Sequence, residues 1–252
     1  MTWYRLRHGS VWYGPGSDEG GDVALDRPAT FTWGDGEPYE NPELGREVQR
    51  GNPVAREYVA RIASMARPTP QAAQPCPSRV GTPEWYDFRV ADHERRGGSP
   101  DDLTTAYYLS YGKKYGHRFS EERYPHFTPA GKHWCEAVRV YLHLALEMEL
   151  LKSPEEYARL ELENRGLGLR TLAFDTHSDA YVAAGVSSLP AADLAIIFST
   201  PDLQDLVSPT GIWQALETAP SVVKEEVKKL FGSRLDQAAI HAQDKIERRG
   251  TK

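Results

Sequence analysis

The sequence predicts a mainly helical (α+β) protein in three parts: a β-hairpin-rich N-terminal segment with one helix (1–66), a Pro-rich linker or loop (67–83), and a multi-helix body (84–252) built around a central buried helix, 129–151. Three observations lead there. Short β- and turn-forming runs crowd the N-terminus. Prolines at 68, 70, 75, 77 and 83 follow with almost no large apolar side chain among them. Beyond them one local device recurs, a hydroxyl residue followed by proline.

WYRLR and VWYG flank a polar turn at His8, Gly9 and Ser10, and ATFTW runs into Gly34-Asp35-Gly36, so both stretches are suited to short hairpins. Asp35, Glu37 and Glu40 lie in the second turn without the twelve-residue spacing of a calcium loop, and a tight turn is the expectation. In LGREVQRGNPVAREYVARIASMA, the residues Val54, Tyr58, Ile62 and Met65 recur at spacings of four and three, one face of a helix starting near Asn52-Pro53. Proline lacks a backbone donor and favours extended chain, so 67–83 reads as a linker or mobile loop with Cys76 exposed in it.

The recurring device is Thr82-Pro83, Ser99-Pro100, Thr128-Pro129, Ser153-Pro154, Thr200-Pro201 and Ser208-Pro209. A hydroxyl can cap the free amides of a first helical turn, and proline fits the first helical position because its missing N–H would be unpaired there. Acidic residues soon after, as in SPDD and SPEE, suit the positive end of the helix dipole. The helix from Thr128 gathers Lys132, Glu136, Arg139, His143 and Glu147 into one stripe reaching water or a cleft, and is otherwise mostly apolar, as a core helix should be. Further on, LPAADLAIIF reads as a buried helix or strand. Val222, Val223, Val227 and Leu230 form an apolar face ending at Gly232, and a last helix begins at Ser233.

Composition narrows function mainly by exclusion. Lys and Arg number 30 against 36 Asp and Glu, interspersed, so the net charge of −6 supplies no general field for nucleic acid or an anionic membrane. Two cysteines cannot make a disulfide framework. Neither a signal-peptide core nor a membrane span is visible, so a cytoplasmic protein is expected, although signal-independent export would leave no trace.

The segment YPHFTPAGKHWCEAV brings His126, His133 and Cys135 close in sequence. Cys135 is a candidate nucleophile, but His133 falls about 160° away around the helix, since residues two apart do not face one another. His117, His126 and His133 lack the spacing of a helical metal pair. For Cys135 the residues favour a small buried hydrophobe. Just upstream, Tyr111, Lys113, Lys114, Tyr115 and Arg118 could form stacking platforms on a basic track for single-stranded nucleic acid. Leu103, Tyr107, Tyr111, Tyr115 and Phe119 also recur every four residues, and core packing is the favoured reading.

TLAFDTHSDAYVAAG holds the best chemical candidate: Asp175, His177 and Asp179 at alternate positions after an apolar run. Asp-x-His after a strand resembles the first metal-ligand motif of calcineurin-like metallophosphoesterases, which implies divalent metal ions that activate water. The downstream Gly-Asp and Gly-Asn-His elements of that family are absent, so no roles are carried over. A structural alternative is a capping box, Thr176-x-x-Asp179, opening a helix at AYVAAGV. Chemistry here would need His177 to meet Cys135, or Asp175 and His177 to gain a third ligand from His126 or His133. No phosphate loop, G-x-S-x-G elbow or dinucleotide fingerprint occurs.

The leading expectation is a non-enzymatic interaction or accessory protein with an unidentified protein partner. Second comes a hydrolase using His177 with Asp175 or Asp179 and a divalent metal, or with Cys135 as nucleophile. Third comes a nucleic-acid binder acting through 107–127.

Overall fold

The computed structural model describes residues 3–5, 11–13, 29–99, 101, 107–162 and 166–200. The helices expected beyond residue 200, with the Val222–Leu230 face, lie outside the described residues. The fold is mainly helical with small antiparallel hairpins at its N-terminal end, as the sequence predicts. β1 (Trp3–Arg5) pairs with β2 (Val11–Tyr13), and β3 (Thr30–Thr32) pairs with β4 (Pro38–Glu40), where Phe31 faces Tyr39. In the second turn Trp33 N–H donates to the Glu37 carbonyl, and Arg67 lies 3.8 Å over the Trp33 ring while bonding the Asp35 carboxylate at 2.7 Å.

Two helices follow where one was expected: α1 (Pro42–Gln49) and α2 (Pro53–Ser64). Both open on Asn-Pro. Asn41 accepts from Leu44 N–H at 2.9 Å, and Asn52 accepts from Val54 and Ala55 N–H at 3.0 and 3.2 Å. On α2 the predicted face holds, with Val54, Tyr58 and Ile62 buried. Residues 67–83 form no helix or strand, as expected of a loop, but their packing departs from expectation. They lie as a strap against the helices, and Cys76, expected to be exposed, is buried together with Ala73 and Val80.

After α3 (Glu84–Arg95), residues 107–126 form one helical run of changing pitch. Two π-helical segments, Tyr108–Lys113 and Arg118–Arg123, flank the short α4 (Lys114–His117), and a 3₁₀ turn, Tyr124–His126, closes the run. The alternation has a geometric use. In an α-helix a strict four-residue spacing drifts by about 40° per step. In a π-helix of about 4.4 residues per turn the same spacing falls about 30° short, so the drifts largely cancel. Tyr107, Tyr111, Tyr115 and Phe119 therefore stay on one side, all buried, with ring centroids 5.8 Å apart for the first pair and 4.5 Å for the second. Gly112 lets Tyr86 lie against this run, since a Cβ there would stand 2.3 Å from Tyr86 Cε1.

The central α5 (Pro129–Lys152) is capped by Thr128, whose hydroxyl accepts from Gly131 N–H at 3.3 Å. Ser153 does the same for α6 (Pro154–Leu162), accepting from Glu156 N–H at 3.3 Å. Thr82 does not cap α3 in this way; that helix has no side-chain cap. α7 (Leu167–Ala183) and α8 (Ala191–Ser199) complete the described body, with α7 the main partner of α5. Asp193 of α8 reaches back and accepts from Thr128 N–H at 2.9 Å, so one helix secures the start of another. No helix among the described residues is long and apolar enough to cross a membrane.

The stripe expected at the edge of α5 divides. Lys132, Glu136 and Arg139 are half-buried, whereas His143 and Glu147 are fully enclosed. Glu147 accepts from Tyr58 OH at 2.7 Å, from Cys76 N–H at 3.0 Å and from Trp85 Nε1–H at 2.8 Å. One carboxylate thereby joins α2, the strap and α3 to α5. Glu147→Ala would strand three buried donors beside the enclosed Arg89, and is expected to cost about 3–5 kcal/mol in denaturant unfolding. Glu147→Gln, which keeps one acceptor oxygen, should cost about 1–3 kcal/mol.

Candidate functional site

Asp175, His177 and Asp179 sit inside α7, not at the start of a helix and not after a strand. The expected capping box is not formed: Thr176 lies mid-helix and its hydroxyl donates to the Ala173 carbonyl at 2.7 Å. In a helix, 175 and 179 share a face while 177 projects elsewhere, so the three groups diverge. Asp175 is exposed. His177 turns into an aromatic box made by Tyr107, Tyr111, Phe174 and Tyr181, with ring centroids 5.1–6.0 Å away. Its Nε2 lies 3.0 Å from the Tyr107 hydroxyl. These residues do not fit the divalent metal that the Asp-x-His pattern suggested. Among the described residues no three His, Cys, Asp or Glu side chains are placed to hold a metal ion.

His177 is half-buried, and loss of water around its ring in the box pushes it down to about 3. The imidazole is therefore neutral at physiological pH. That is the form a general base needs, but its Nε2 is already engaged by Tyr107.

Cys135 lies on α5, fully buried, with its thiol donating to the Phe119 carbonyl at 3.5 Å. Burial pushes the thiol up to about 11, with Arg139 opposing and Glu136 adding to the rise. A nucleophilic cysteine needs the opposite shift. The His177–Cys135 pairing is not made. Tyr181 is the ring that links their surroundings, stacking on His177 at 6.0 Å and meeting Trp134 edge-on at 5.4 Å.

The other histidines face away. His133 is exposed on the opposite side of α5 from Cys135, its Nδ1 accepting from Arg50 at 3.0 Å. His117 is exposed and pairs with Glu121 at 3.0 Å, and His126 is exposed as well. In the basic and aromatic stretch the rings of Tyr111 and Tyr115 are spent in the core. Lys113 pairs with Asp87, Lys114 lies 4.9 Å over the Tyr115 ring and Arg118 lies 5.4 Å from the same ring.

The densest polar chemistry lies at the buried end of the α5 stripe, which the sequence places at a wet edge or a cleft. His143 is fully buried, stacked 4.3 Å from Trp85 and edge-on to Tyr86, and its Nδ1 accepts from Gly81 N–H at 2.9 Å. Arg89 is enclosed beside Glu147, donating to the Gln74 carbonyl, while its Nε and Nη1 are buried without a protein partner. A second buried carboxylate, Glu161, takes Tyr108 OH at 2.9 Å together with Arg96, and Tyr108 OH also meets Tyr157 OH at 2.6 Å. The available signal was His143 and Glu147 one turn apart on an otherwise apolar helix. Such a pair marks either a wet edge or a buried polar hub.

No family model, no curated protein and no solved structure matches the chain.

The depressed His177 sets a pH dependence. The unfolded imidazole takes up a proton near pH 6.5, and the folded one only near 3, so its contribution to stability is complete above 6.5 and is lost as pH falls. Urea unfolding of the wild type and His177→Phe should show a stability difference about 1–2 kcal/mol smaller at pH 5 than at pH 7. A pH-independent difference would mean that the folded imidazole titrates normally.

Proposed function

We propose that this protein is a non-enzymatic interaction or accessory protein with a helical core, engaging a protein partner. The observation that carries the reading is how the fold uses its most reactive groups. His177 Nε2 is bonded to Tyr107 inside an aromatic box, and the Cys135 thiol is bonded to a backbone carbonyl and held protonated. Their positions are explained by packing and hydrogen bonding alone. The tyrosines of 107–115 support the same reading, since rings closed in the core are not platforms for bases.

The test uses the full chain with Cys135→Ala and His177→Phe together. A partner captured by crosslinking from the source cells is expected to bind the double variant as it binds the wild type, provided thermal melts show both folded. Loss of a measurable turnover in the variant, on phosphate or carboxylate esters with divalent ions supplied, would replace this reading with the hydrolase. Retention on single-stranded DNA at low salt that disappears in Lys113→Glu, Lys114→Glu would replace it with the nucleic-acid binder.

A further inference from the structure

We propose that residues 67–83 form an acid-released strap over α5, latched by the neutral imidazole of His143, whose opening bares Glu147, His143 and Trp85. The strap is unlike the elements around it. Its internal backbone bonds are local turns, such as Ala72 N–H to the Thr69 carbonyl and Arg79 N–H to the Cys76 carbonyl. The hydrogen bonds that join it to the helices come mainly from side chains outside it. Its amides at Gln74, Cys76 and Gly81 donate to Asp92, Glu147 and His143. Its carbonyls at Ala72, Pro77 and Val80 accept from Arg95 and Asn41. Its buried apolar anchors are Ala73, Pro75, Cys76, Pro77 and Val80, with no aromatic or long aliphatic side chain among them. A segment with small apolar anchors, joined to the body by side-chain bonds and not by a backbone ladder, opens below the cost of global unfolding.

His143 makes the latch sensitive to acid. Its Nδ1 accepts from Gly81 N–H, so the ring proton is on Nε2, and a second proton would have to displace the Gly81 bond. The surroundings disfavour that proton. From α3 the rings of Trp85 and Tyr86 cover the imidazole, with Tyr107 behind Tyr86. From its own helix Arg139 repels a cation, and burial holds the group well below the usual imidazole range. Glu147, one turn on, accepts from three donors and is faced by Arg89. At the strap, Glu43 of α1 lies beside Gly81 and pairs with Arg46, and Arg79 is exposed. The closed state therefore refuses a proton that the open state accepts below about pH 6.5, which favours opening by about tenfold per pH unit.

Cys76 reports the opening, because it lies in the strap, whereas Cys135 lies in the core of α5. The full chain is labelled with a dipyridyl disulfide between pH 7.5 and 5, and each site's rate is compared with that of a peptide spanning it at the same pH. Mass mapping assigns the sites. Protection of Cys76 is expected to fall by about tenfold per pH unit between 6.5 and 5, with Cys135 remaining at least about tenfold better protected. His143→Gln should abolish that slope.

Gly81→Ala supplies a second lever. Gly81 has φ +84°, and a Cβ there would stand 2.7 Å from Val140 Cγ2 and 2.9 Å from Glu43 Cβ. The variant should expose Cys76 at pH 7.5 while Cys135 stays protected. Equal protection of the two cysteines at every pH, a pH-independent Cys76, or a slope that survives in His143→Gln would overturn the proposal.

Discussion

The fold depends on one buried carboxylate. Glu147 lies in the middle of the assembly, where an unpaired charge would be intolerable, and what makes it tolerable is a set of donors from three separate parts of the chain. Apolar contacts among α2, α3 and α5 would permit sliding, because they are non-directional. Tyr58, Cys76 and Trp85 must each bring a particular hydrogen to a particular oxygen, so the carboxylate fixes rotation and height together. Arg89 stands by as a countercharge, and Asn41 extends the scheme by capping α1 while donating to Pro77 and Val80 of the strap.

A second polar layer follows from the first through α3. This helix buries Trp85, Tyr86, Arg89, Asp92 and His93, a face on which Arg89, Asp92 and His93 outnumber the two aromatic residues. Trp85 and Arg89 serve the Glu147 hub, while Asp92 pairs with Arg95 and Arg96 and holds the strap at Gln74. Arg96, just past the helix, carries the connection to Glu161 on α6. α3 therefore joins two charged layers, which explains why it could not be read as an amphipathic helix. Its inward side does not look apolar, so the Thr82-Pro83 start signal is followed by no periodic stripe that marks its course.

The same cause separates what was legible in the sequence from what was not. α5 and the inward face of α2 were visible because apolar spacing reports burial directly, and Thr128 and Ser153 announced their helices through cap chemistry. The burial of the strap is invisible in its sequence, because proline's missing N–H says nothing about where its carbonyl finds a donor. The carbonyls of Pro70 and Pro77 are bonded by Arg95 and Asn41, partners 25 and 36 residues away that no local pattern reveals. α7 was misread for a related reason. Asp, Thr, His and Ser in succession suggest a cap or a ligand set, but once Phe174, His177 and Tyr181 are placed against α5 and the tyrosine ladder, packing overrides their weak preference for a helix end.

The aromatic ladder shows where sequence-level chemistry reaches its limit. A tyrosine every four residues beside lysine and arginine describes a stacking platform and a core stripe equally well, because both need flat rings in register. Only the direction of the stripe differs. Here the π-helical turns keep the rings aligned instead of letting them wind around the axis, and the aligned rings wall in His177. The histidine that looked like a ligand and the tyrosines that looked like platforms satisfy one another.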